Sequence, residues 1–182
     1  MRSASQPPVP SGVDRSPFRP RRTAAVLMAS LGLAGACAAQ APDKALVERG
    51  RYVVRIAGCN DCHTPQYGMR NGDVPEKDWL TGDAVGWYGP WGTTYPTNLR
   101  KTVRAKTEAQ WLAYATSVKT RPPMPWFSLH AMQREDLRAV YHFVQSLGDG
   151  GGDIPQGLPP GRKPPPPYLD LHPVLPAGVA PK

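Results

Sequence analysis

Two cysteines separated by two residues and followed at once by a histidine, Cys59-Asn60-Asp61-Cys62-His63, are the part of this 182-residue chain best equipped for chemistry. Each thiol can add across one vinyl group of a porphyrin, the two-residue interval lets both sulfurs reach, and the adjacent imidazole falls under the iron. The spacing therefore predicts one covalently attached haem c, bonded through Cys59 and Cys62, with His63 as the proximal ligand. Two simpler readings of the same residues compete. A redox-active dithiol expects a thioredoxin-like alternation of strands and helices, which the chain does not show. A structural zinc site needs four ligands, and the only further cysteine, Cys37, falls in a segment expected to be removed.

A second axial ligand has five candidates: Met69, Met124, Met132, His130 and His142. Met124 stands in Pro122-Pro123-Met124-Pro125, where restricted backbones can hold a thioether toward a metal at low entropic cost. A thioether opposite an imidazole raises the reduction potential of iron, which suits a carrier of single electrons. Met132 also reads as an apolar residue at the start of the last helix, His130 as a surface histidine, and His142 as lying off the apolar stripe. Met69 sits in a Gly-containing loop close to the haem motif. Were the sixth position left open, a gas sensor or a peroxidase-like enzyme would be the alternative.

Three helical patterns must position these groups. Asp43 is a candidate N-cap for a first helix whose Leu46, Gly50, Val53, Val54 and Ala57 share a face and which runs into the motif. Thr107-Glu108-Ala109-Gln110 has the form of a capping box before Trp111, Leu112 and Ala115. Leu137, Val140, Tyr141, Val144 and Leu147 mark a third helix, weakly capped by Gln133 and stopped by Gly148. Gly50 and Tyr141 predict that the first and last helices cross, the ring filling the space the glycine leaves. The fold class expected is mostly α, with long loops, and five tryptophans (79, 87, 91, 111 and 126) are available to wall a planar cofactor.

The ends differ in composition from the middle. Arg19, Arg21 and Arg22 precede an apolar run, residues 23–36, too short to span a bilayer, so residues 1–41 read as a leader and export signal. Cleavage after Ala41 is one expectation. A lipid anchor on Cys37 is the alternative, since Leu33-Ala34-Gly35-Ala36-Cys37 is similar to a lipoprotein box with its branched residue one place too far. Either way the mature protein is expected in the periplasm. Residues 42–148 form the haem domain, and residues 149–182, with ten prolines after residue 154, form a Gly/Pro-rich tail of extended or irregular chain. Tyr168, Leu169, Leu171, Val174 and Leu175 could pin that tail to the domain or to a partner. From Pro42 onward seventeen Lys and Arg oppose thirteen Asp and Glu, a net of +4, too small to argue for nucleic acid. Arg100, Lys101, Arg104, Lys106, Lys119 and Arg121 are opposed in their segment only by Glu108, which predicts either a cationic face for an acidic protein partner or a solvated surface run. Neither a Ser/His/Asp triad nor a phosphate loop is present in the sequence.

A helix leading to Cys59-Asn60-Asp61-Cys62-His63, a methionine-bearing loop and an apolar last helix together resemble a class I c-type cytochrome. Over residues 43–148, the segments Gly92-Thr93-Thr94-Tyr95-Pro96-Thr97-Asn98-Leu99, Thr107-Glu108-Ala109-Gln110-Trp111, Pro122-Pro123-Met124-Pro125-Trp126 and Asp136-Leu137-Arg138-Ala139-Val140-Tyr141 resemble one haem domain of the cytochrome subunits of bacterial membrane-bound alcohol and sugar-acid dehydrogenases. The resemblance implies Met124 as the sixth ligand, Asn98 and Trp111 as donors to the haem propionates, and Pro75 as the carbonyl that orients His63. Arg100-Lys101-Thr102 stands where that family often has Thr-Pro-Asp, which implies a more cationic propionate environment. It also implies a non-enzymatic electron carrier of the respiratory chain, between a dehydrogenase and an oxidase or reductase. A non-catalytic subunit whose proline tail scaffolds a dehydrogenase complex is the remaining alternative.

Overall fold

The computed structural model describes residue 12 and residues 43–178. The residues expected to form an export signal, the arginines before them and Cys37 lie outside the described residues.

Helix α1, Lys44–Ile56, begins where its capping chemistry dictates: the Asp43 carboxylate accepts from the Ala45 N–H at 2.9 Å. Gly50, Val53 and Val54 are its buried residues, whereas Ala57 lies exposed beyond its end. The helix does not run straight into the haem motif as expected. It stops at Ile56, and Cys59–His63 form a separate helical turn, α2.

The last helix, α6 (Arg134–Ser146), crosses α1 as the pattern predicts, with Gln133 making no side-chain cap bond. The filling residue is a different one. A Cβ on Gly50 would collide with the Ala139 carbonyl and lie 2.6 Å from the Phe143 Cβ, so the crossing is made by Ala139 and the fully buried Phe143. Residues 139 and 143 are one turn apart and share a face, which Tyr141 does not. Tyr141 is half-buried and donates its hydroxyl to the Lys106 carbonyl at 3.1 Å. Burying Leu137 and Phe143 against α1 stabilises the crossing by ~1.5–3 kcal/mol for each side chain.

Helix α3 (Leu99–Arg104) and helix α4 (Glu108–Ala115) complete the helical body, with a short α5 (Trp126–His130) after the Met124 loop. The α4 capping box is formed, Thr107 and Gln110 bonding each other's backbone N–H. Glu108 ties α4 to α6 through Arg138 at 2.6 Å and His142 at 2.9 Å.

The described residues form a small mixed α/β domain, in which the expected helices are joined by a three-stranded sheet that the sequence did not announce. Strands β1 (Gly86–Gly89) and β2 (Gly92–Thr94) form an antiparallel hairpin, and β3 (Tyr168–Asp170) pairs parallel to β1, giving the order β2-β1-β3. Three- and four-residue strands are too short to show an alternation, and the third is contributed by a segment eighty residues away whose prolines argue for irregular chain. That segment is largely irregular, yet it returns to the domain and adds a strand to it.

Basic residues expected on one face are mostly engaged. Arg100 is 2% exposed and its guanidinium donates to the carbonyls of Glu76, Lys77, Trp79, Leu147 and Asp149 at 2.8–3.4 Å. Lys101 pairs with Asp153 and Arg104 with Asp149. Arg100 thus serves as an internal brace between the loop before α3 and the end of α6, and contributes nothing to a surface patch.

Candidate functional site

A cleft of about 550 Å³ opens beside α2, within the ~300–1,000 Å³ typical of cofactor sites. Cys62 and His63 line one side, Trp87 and residues 94–97 another, and Met124 with Thr120, Arg121 and Pro123 a third; residues 154–157 of the tail close it further.

His63 is buried, and its Nδ1 stands 2.8 Å from the Thr97 carbonyl oxygen. A carbonyl only accepts, so Nδ1 carries the proton and Nε2 keeps its lone pair free for a metal. Burial pulls the imidazole below its ordinary pKa, more than the Thr97 carbonyl raises it, so the ring is neutral as a metal ligand must be. The acceptor is not Pro75, whose carbonyl instead accepts from the Asp78 N–H at 2.8 Å in the short 3₁₀ turn Glu76–Asp78.

The Thr97 carbonyl is itself held. Asn98 caps α3, its Oδ1 accepting from the Lys101 N–H at 3.1 Å while Nδ2 donates to the Gly150 carbonyl at 2.8 Å. Asn98 is buried, and its amide is thereby engaged with protein on both sides, one residue behind the carbonyl that orients His63. Trp111 lies in the hydrophobic core, 3% exposed, with its indole N–H donated to the Leu137 carbonyl at 2.8 Å. Neither residue is in the cleft wall. Of the five tryptophans, Trp87 lines the cleft, while Trp79 and Trp111 are core residues.

Behind the motif, Asn60 accepts from the Thr64 hydroxyl at 2.7 Å, and Thr64 Oγ1 in turn accepts from the Leu80 N–H at 2.8 Å. Leu80, fully buried, holds a left-handed backbone at φ 60°, and its carbonyl accepts from Leu99 N–H. A branched residue in that region costs ~1–3 kcal/mol and persists only where its surroundings over-determine it. The Gly82 N–H donates to the His63 carbonyl at 2.8 Å, so this strained loop ties α2 to the start of α3.

The two thiols differ in position. Cys62 lines the cleft, whereas Cys59, one turn earlier, is half-buried against the hydrophobic core. Burial pushes the Cys59 thiol up to about 11 and raises that of Cys62 as well, the opposite of the lowered pKa that a catalytic dithiol requires. Among the described residues no group of three or more His, Cys, Asp or Glu is placed to hold a bare metal ion.

Among the five candidates for a second ligand, Met124 alone lines the cleft. Its loop is fixed to the hairpin, the Thr94 hydroxyl donating to the Pro122 carbonyl at 2.8 Å. Met69 is 89% exposed, Met132 packs beside the core, His130 bonds the Val118 carbonyl at 2.8 Å and His142 faces Glu108. The site residues that sequence reasoning missed are Thr97 and the tail residues 154–157. Thr97 contributes only a backbone oxygen, and the tail reaches the cleft by tertiary packing, so neither leaves a motif.

A protonated thiol, a neutral imidazole with one free nitrogen and a thioether in one cleft, with a second protonated thiol one helical turn away at Cys59, match the groups that a c-type haem takes. Comparison with known proteins points the same way. Over 124 residues, 61% of this chain, it is 33% identical to the cytochrome c subunit of the quinone-dependent alcohol dehydrogenase of Gluconacetobacter polyoxogenes, and equally so to that of Komagataeibacter europaeus. This chain is similar to part of a cytochrome c subunit. The corresponding subunit of Gluconobacter oxydans is 31% identical over 132 residues, 64% of the chain. The chain matches about a quarter of the length of these curated relatives, 24–25%. No protein-family model matches, and no solved structure matches.

Proposed function

We propose that the protein is a monohaem c-type cytochrome that carries single electrons and is not itself an enzyme. The observation that carries this reading is the meeting of His63 and Met124 in one cleft beside the Cys59/Cys62 turn. When bound, haem supplies a one-electron iron couple whose potential is set by its axial ligands and by burial. Cys59 and Cys62 would anchor it covalently, His63 would bind through Nε2 with its ring orientation fixed by Thr97, and Met124 would supply the second iron ligand. With the group bound, Trp87 and the tail residues that line the cleft would limit its exposure to water, which favours electron transfer without bond chemistry.

The named relatives are subunits of quinone alcohol dehydrogenases, which supports a dehydrogenase as the electron donor; an oxidase or reductase would be the acceptor. The leader-like sequence supports a periplasmic location. The test is the mass and visible spectrum of the exported protein and of its Met124→Ala variant. The native protein should carry one haem and show the sulfur-to-iron charge-transfer band when oxidised. The variant should lose that band, bind carbon monoxide when reduced at neutral pH, and have a lower reduction potential. A colourless native protein of apo mass, or a band that survives in Met124→Ala, would overturn the reading.

A further inference from the structure

We propose that the segment following α6 is an integral wall of the cofactor cleft, and that Arg121 is the positioning residue that locks this wall to the loop bearing Met124. The inference rests on the cleft being a haem site and adds a dependence: closure of the sixth coordination position by Met124 requires the tail to be docked.

The docking is extensive for a proline-rich stretch. Thr93 and Leu158 exchange both of their backbone hydrogen bonds, each at 3.0 Å, so the tail pairs with the hairpin before β3 is reached. Gly150 is held by the Asn98 amide, and the Ile154 side chain packs against Gly82, where an added Cβ would lie 2.7 Å from its Cδ1. Farther on, the Gly86 N–H donates to the Pro167 carbonyl at 3.0 Å and the Leu171 N–H to the Tyr88 carbonyl at 2.7 Å, on either side of β3. Between these anchors residues 154–157 face the cleft that His63 and Met124 also line.

Arg121 joins three segments. One guanidinium nitrogen donates to the Leu158 carbonyl of the tail at 2.7 Å and to the Trp91 carbonyl at 3.1 Å, and the other donates to the Thr93 carbonyl at 3.2 Å. It stands three residues before Met124, and the carbonyl of the next residue, Pro122, is bonded by Thr94. A planar fork is needed to reach carbonyls of the hairpin and the tail together, which a lysine cannot do. A loosened tail therefore releases the Met124 loop and admits water to the side of the cleft where the thioether binds.

The test uses the full-length haem-loaded protein with Arg121→Ala and Gly157→Val, neither of which is a proposed anchor of the haem or ligand of its iron. At residue 157 a Cβ would fall 2.5 Å from an Arg121 guanidinium nitrogen and 2.8 Å from the Thr93 carbonyl oxygen, so the second variant pushes the tail off both the hairpin and the Arg121 fork while retaining the arginine's charge. Both variants should retain covalent haem, lose most of the charge-transfer band, and react with carbon monoxide when reduced. Exchange of the Leu158 amide should accelerate by about tenfold or more, and Arg121→Lys should not restore the native spectrum. Variants whose Leu158 amide exchanges fast while the band and the inertness to carbon monoxide persist would overturn the proposal. If neither variant accumulates, the milder Arg121→Gln decides: fast Leu158 exchange together with loss of the band supports it, and fast Leu158 exchange with a persisting band refutes it. Native protein lacking haem, or a band unaffected by Met124→Ala, refutes the haem reading and the inference together. A native spectrum of the expected kind with unaffected variants refutes the inference alone.

Discussion

Arg100 shows how much of this site is held from outside it. Its charge is buried and hydrogen-bonded to no carboxylate, and five backbone carbonyls share it across the loop before α3 and the end of α6. Arg100→Met removes those donors at once. Unfolding in urea should show a loss of at least ~3 kcal/mol, since each buried acceptor left without a partner costs about 1–3 kcal/mol. Arg100→Lys should recover little, because an ammonium cannot reach carbonyls on both segments. Asn98 acts on the same scale. Asn98→Ala loses the α3 cap and the bond to Gly150, and should cost about 1–2 kcal/mol from the cap. It should also broaden the ring signals of His63 in the loaded protein, since the Thr97 carbonyl loses its rigid neighbour. Unchanged ring signals would mean that Thr97 is fixed by other contacts.

Among the elements, α4 is joined to α6 by an acid-sensitive tie. The Arg138 guanidinium, and then His142, hold the Glu108 carboxyl below the usual carboxylate range. A depressed folded-state value means that the contribution is complete above the unfolded pKa of glutamate and is lost as pH falls through the lowered value. Glu108→Gln should therefore reduce stability at neutral pH by roughly 0.5–1 kcal/mol, a partly exposed pair being screened, and should flatten the acid limb of a stability-against-pH curve. Gly50→Ala is expected to be far worse, because its Cβ has no room against the α6 backbone; a midpoint shift equivalent to more than ~2 kcal/mol should be measurable. Helices α1 and α4 were legible in the sequence because each carries a cap and an apolar stripe at helical spacing, and α6 was legible from its stripe. Phe143 escaped notice as the partner of Gly50 because pattern alone does not say which of two neighbouring aromatics lies at a crossing. The hairpin and α3 were hidden by their length, and α3 depends on a cap, Asn98, whose amide the family resemblance had directed to the propionates. Within the site, Cys59, Cys62, His63 and Met124 were readable as side-chain chemistry, while the Thr97 carbonyl was not, being a backbone atom whose role is decided by tertiary placement.

Considered whole, the molecule returns its C-terminal stretch to the middle of its chain, and no helix among the described residues is long and apolar enough to cross a membrane. Since the tail shares hydrogen bonds with the hairpin, Asn98 and Arg100, it should unfold with the domain. Amide exchange at Gly86, Thr93, Leu158 and Leu171 under native conditions should report one opening free energy, and a separately opening tail would contradict it. The place of residues 154–157 in the cleft also sets an order of events in time. A polypeptide leaves the ribosome or crosses a membrane with its earlier residues ahead of its later ones. The Cys-x-x-Cys-His turn and the Met124 loop are thus available while the groove is still unroofed on one side, and an insertion apparatus could deliver a flat pigment laterally before that roof arrives.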